Sequence, residues 1–212
     1  GGFDAVSPEN MGTAQKALID QWSELVKASA ANVAKLKQQG EDLDGRLAAA
    51  YDRLAKKAAV TETDEPGIVW SKTLILLRVG HKEQALAALD VFQIRQHAAE
   101  PGDKGVDVYV AAARAYIQQR YPNDYAGGAL VMGFADNKRH SALRVGDIVL
   151  ALDGQPVTTA GEFVSQKKAH AGQTMRMRVL RASGDGALTE TEIIHRADDP
   201  PVGVYSLKYM DE

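Results

Sequence analysis

The stretch SALRVGDIVLALDGQPV, residues 141–157, decides how the second half of this chain is read. Its centre, Ile148-Val149-Leu150-Ala151-Leu152, is a short apolar run with turn residues on both sides, the pattern of a strand. Gly146-Asp147 opens the run, and Asp153-Gly154 closes it with a dipeptide favoured in two-residue hairpin turns. Working outward, Ala129 to Phe134 reads as a preceding strand. On the other side Thr159 caps a short helix from Ala160 to about His170. Met175, Met177 and Val179 then alternate with Arg176 and Arg178, as on a half-buried strand. The glycine-rich turn Ser183-Gly184-Asp185-Gly186 leads into a last such run from Leu188 to His195.

Upstream of Gly127 the spacing is helical. Pro8 starts a pattern in which Leu18, Trp22, Leu25, Val33 and Leu36 share one face. Gly40 is expected to end that helix, and Leu43, Leu47, Tyr51, Leu54 and Ala58 to form a second, so that the two fold back as a hairpin. Residues 61–67, TETDEPG, are acidic and broken by Pro66 and serve as a connector. Helices follow over 68–79, 83–97 and 106–121, with Gly80-His81 and Pro101-Gly102 as turns. Ala85, Leu86, Leu89, Phe92 and Ile94 are the expected buried stripe of the second, and Val110, Ala113, Tyr116 and Ile117 that of the third. Trp22 and Trp70 read as core residues.

Composition bounds the function. The 212 residues are 45% hydrophobic and 25% charged, with a net charge of -3 and a pI near 6.0. That balance supplies no concentrated positive field for nucleic acid or anionic lipid. No apolar run approaches the roughly 20 residues of a membrane-spanning helix. Cysteine is absent, which removes disulfides, thiolate chemistry and cysteine-ligated zinc. A start at Gly1-Gly2-Phe3 reads as a cloning remnant, which leaves the chain cytoplasmic, or as the end left by a removed export signal, which puts it in the bacterial periplasm or cell envelope.

Residues 141–157 resemble the central stretch of bacterial PDZ domains, with Leu143, Gly146, Asp147, Asp153 and Gly154 in matching positions. The resemblance implies that Leu143 lies on a short helix packed into the core, and that the module binds a protein C-terminus or extended strand at an open sheet edge beside a helix. The usual glycine-containing carboxylate loop is missing ahead of Ala129, so a permuted strand order is expected. In that order Leu188 to His195 is the family's first strand, Pro201 to Val204 the carboxylate loop and Tyr205 to Tyr209 the groove strand. The implied peptide site comprises Val202, Gly203, Val204, Tyr205, Ser206 and Leu207, faced by Gly161, Val164, Ser165 and Lys168 of the helix. The expected fold is α+β and multidomain: helical hairpins or a bundle over 7–121, then a PDZ-like partly open barrel with two helices over 125–210. Trp70, Leu74, Gly80, Ala85 and Leu89 are similar in type to tetratricopeptide positions, but no second copy at a roughly 34-residue period is visible, and a generic bundle is the alternative.

No Gly-x-Ser-x-Gly or Gly-x-Ser-Gly-Gly stretch presents a nucleophile, and the expectation is a noncatalytic adaptor or scaffold with no cofactor and no metal. Two rivals stand beside it: a regulatory or substrate-delivery subunit of a separately encoded protease, and a structural module whose groove its own chain fills. His81, His97, His140, His170 and His195 are scattered without ligand spacing and read as surface or turn residues. Asn137-Lys138-Arg139-His140 reads as a solvated basic loop, and Gly127-Gly128 as a crossing between domains rather than a dinucleotide fingerprint.

Overall fold

A computed structural model of the chain describes residues 8–135, 141–196 and 198–209. It is α+β, with helices leading and an antiparallel sheet at the C-terminal end. Helix α1 spans Pro8–Lys57, α2 Pro66–Arg78, α3 Lys82–Ala99 and α4 Gly105–Arg120. Strands β1 Ala129–Phe134, β2 Ile148–Leu152 and β3 Gln155–Pro156 precede helix α5, Ala160–Ala169. Strands β4 Met175–Ala182, β5 Leu188–His195 and β6 Val202–Ser206 follow. The capping Ser7, the side chain of Trp22 and the loop 137–140 lie outside the described residues.

The expected hairpin at Gly40 does not form, because α1 is one helix through Gly40 and Gly45. A glycine inside a helix costs about 1 kcal/mol against alanine, which good helix formers on both sides outweigh. Gly40 also lacks the positive φ of a helix-ending glycine. Gly80 has it, at 88°, and its N–H donates to Leu77 O while that of His81 donates to Leu76 O, ending α2 in a Schellman arrangement.

The chain divides into two compact units at Tyr51–Asp52, not in the 121–125 stretch. In the second unit, helices α2, α3 and α4 share a core with one face of the sheet. Trp70, Leu89, Phe92, Tyr109 and Tyr116 pack with Leu130, Ile148, Leu180 and Leu207. The other sheet face, with Val131, Val149, Met177 and Val179, packs on Phe163 of α5. A sheet covered on both sides explains the uninterrupted apolar run of β2. Ile94, expected in the core, is 69% exposed, since it lies about 200° around α3 from Phe92.

The sheet order is β5-β4-β2-β1-β6, with β3 paired to β2. Asp153, at φ 44°, and Gly154, at φ 81°, form the hairpin turn between β2 and β3. The segment 141–147 is a bend and turn rather than a short helix. Leu143 is nonetheless buried, and the side chain of Asp147 organises the segment: it accepts from Arg144 N at 2.8 Å and from Arg181 Nε and Nη2, both at 2.7 Å.

Candidate functional site

β6 is an edge strand, paired with β1 on one side only. Ala135 N donates to Pro201 O and Leu207 N donates to Gly128 O, so the odd-numbered residues of this segment bond across to β1. In an antiparallel pair the alternate residues then turn their N–H and C=O the other way. Val202, Val204 and Ser206 therefore present main-chain groups to the open side. A strand edge in this state is a template for another extended chain.

Helix α5 lies against β2, β6 and β1 on one face of the sheet. Thr159 caps it by accepting from Glu162 N at 3.2 Å, and the carboxylate of Glu162 returns to Thr158 N at 2.7 Å. Ala160 N donates to Ser206 Oγ at 2.9 Å, which ties the start of α5 to the end of β6. Gly161, Ser165 and Lys168 are exposed on this helix, and Val164 is 55% exposed despite being aliphatic.

The strand residues expected in the site divide between its two faces. Val202 and Val204 pack on the α5 side. Tyr205 and Leu207 turn the other way, into the helical layer, where Leu207 is buried and Tyr205 stacks on Trp70 with ring centroids 4.9 Å apart. Alternation of side chains along a strand requires this split. Ser206 is also engaged on its carbonyl, which accepts from Trp70 Nε1 at 2.9 Å. The open edge thus ends at Trp70, a residue whose apolar stripe marked it as core and nothing more.

The expected carboxylate loop, Pro201 to Val204, is not a loop, since β6 already starts at Val202, and the stretch from Pro200 has fewer free donors than a carboxylate nest requires. Pro200 and Pro201 have no N–H, and the register of β6 turns the N–H of Gly203 toward β1. Val202 and Val204 remain. Against this stretch lies His195, expected at the surface but 1% exposed, because the last residue of β5 points inward. Its Nδ1 is 3.1 Å from Asp199 Oδ2 without the alignment of a hydrogen bond. Burial lowers the His195 pKa below its ordinary value of 6.5, half-buried Lys167 on α5 lowers it further, and Asp199 opposes both. His97 likewise sits beside a carboxylate, with Nε2 2.7 Å from Asp107 Oδ1. Among the described residues no three His, Asp or Glu side chains are grouped to hold a metal ion.

On the helical face of β6 an open cavity of about 440 Å³ lies between the end of α3 and strands β1 and β6. No motif pointed to it, since its lining comes from four separate parts of the chain. No helix is long and apolar enough to cross a membrane among the described residues. No protein-family model matches the chain, and no curated protein is significantly similar to it.

Proposed function

We propose that this chain is a noncatalytic interaction module, PDZ-like with a permuted strand order and a partly open barrel, serving as an adaptor or scaffold. The observation that carries this reading is the unpaired edge of β6, with α5 packed against that strand. The partner adds an extended segment to β6 through main-chain hydrogen bonds, and its alternate side chains meet Val202, Val204 and Val164. The scarcity of amides at Pro200-Pro201 favours an extended segment over a free C-terminus as the main determinant.

The test is an amide-shift titration with extended nine-residue peptides. Shifts are expected along Val202–Ser206 and Ala160–Ala169, and their absence from both elements would sink the proposal. Val204→Pro removes an outward N–H at an edge position where proline is tolerated. It is expected to weaken peptide binding at least about tenfold while the melting temperature moves little, since the loss combines a main-chain bond with ring bulk in the groove. Unchanged affinity would move the site elsewhere.

A further inference from the structure

An added strand at β6 has two faces, and the second of them meets the cavity under α3. Its apolar walls are Met132, Tyr109 and Tyr205, and the charged side chains among its described lining residues are the carboxylates of Glu100 and Asp103. Asp103 is oriented by accepting from Gly105 N at 2.8 Å through Oδ1. Gly203 leaves the β6 wall open, because a Cβ there would meet only Gly133 O, at 3.8 Å. Tyr109 is 1% exposed, lines the cavity, and has no hydrogen bond to its hydroxyl among the described residues. Burial raises the pKa of this phenol, and the charges of Tyr205, Asp103 and Glu100 add to the shift, so it stays a neutral hydroxyl.

We propose that the cavity receives a lysine or arginine side chain of the bound segment, from the residue laid opposite Gly203. The inference rests on the groove reading above. A residue directly across an antiparallel pair projects to the same face as its partner, so a side chain opposite Gly203 is aimed at the helical layer. A long basic side chain suits the lining by parts. Its methylene stem packs on the aromatic walls, its head reaches the carboxylates, and the tyrosine rings favour a cation over their faces. A neutral apolar side chain leaves the acids unanswered, and an acidic one is repelled.

The experiment uses the full chain and a set of nine-residue Val/Thr peptides with one central variable position, read by fluorescence anisotropy. Lysine and arginine are expected to bind about tenfold more tightly than alanine and glutamate the most weakly, a difference that shrinks with added salt. Glu100→Gln should flatten the series and Glu100→Lys should reverse it. Peptides that bind with no preference at that position, or a preference that both variants leave intact, overturn this inference and leave the groove reading standing. Failure of every peptide to bind removes both.

A different observation carries a second inference independently. On α1 the residues Leu25, Val33, Leu36, Leu43 and Leu47 are each more than half exposed, at 66, 63, 67, 62 and 51%. From Val33 through Leu36, Gly40, Leu43 and Leu47 to Ala50 the steps alternate three and four, the heptad seam of a coiled coil. We infer that this seam pairs antiparallel with the α1 helix of a second copy, centred between Gly40 and Leu43. That register sets Leu36 against Leu47, gives each Gly40 a Leu43 to accommodate, and places Lys37 beside Asp44 of the other copy twice over. Parallel pairing would set Asn32 against Lys37 and Gln39 against Asp44, with no opposite charges matched.

Sedimentation equilibrium of the full chain should show a dimer that Leu43→Asp dissociates. Lys37→Glu should weaken it, and adding Asp44→Lys should restore it. A monomer at all concentrations overturns the pairing, and failure of the double exchange to restore the dimer overturns its orientation.

Discussion

Trp70→Ala is expected to destabilise the protein by about 3–5 kcal/mol, the range for truncating a buried tryptophan. Trp70 is 4% exposed, lies edge-on to Phe92 with centroids 5.0 Å apart, and stacks on Tyr205. Its loss leaves a cavity where α2, α3 and β6 meet and orphans the Ser206 carbonyl. In urea unfolding the midpoint should fall with little change in slope, and the melting temperature should drop on the order of 10 °C. Trp70→Phe keeps one aromatic ring in the packing and loses the indole N–H with the second ring, so it should cost less, about 2 kcal/mol. Equal losses in the two variants would mean that the hydrogen bond, and not the packing, holds β6 to the helices.

Asp147→Ala is expected to cost about 3 kcal/mol by the same measurement. Breaking a buried ion pair typically costs 3–5 kcal/mol, and the estimate of about 3 kcal/mol sits at the low end because Arg181 is partly exposed. Its side chain is 24% exposed and that of Asp147 1%. The carboxylate also fixes Arg144 N and so the turn that sets Gly146 against α4, where a Cβ at 146 would meet Val108 Cγ1 at 3.1 Å. A loss below about 1 kcal/mol would mean that the turn holds without its carboxylate, in the range of an ordinary surface substitution.

The strands and α5 were legible because their signals are local. The apolar run 148–152, the Asp153-Gly154 turn, the alternation after Met175 and the Thr159 cap each depend on neighbours in sequence, and each is found within a residue or two of expectation. Gly40 misled because a glycine ends a helix only when the chain also adopts a left-handed turn there, which no single residue dictates. Leu143 lies in a turn and not on the expected short helix, because the carboxylate of Asp147 accepts from Arg144 N. The burial of His195 is not legible in the sequence because Asp199, 3.1 Å from its Nδ1, lies in a stretch with no pattern of its own.

Local order along the chain therefore determined most of the helical and extended segments and which side chains alternate along them. Tertiary structure alone decided that α2, α3 and α4 cover the sheet, that the edge of β6 stays open from Val202 to the point where Trp70 meets Ser206, and that Glu100, Asp103 and Tyr109 line one cavity beside it. Residue 70 lies 136 positions from residue 206, and contacts at that separation leave no periodicity to read. They exist because burying both faces of one sheet removes more apolar surface from water than folding the helices and strands apart.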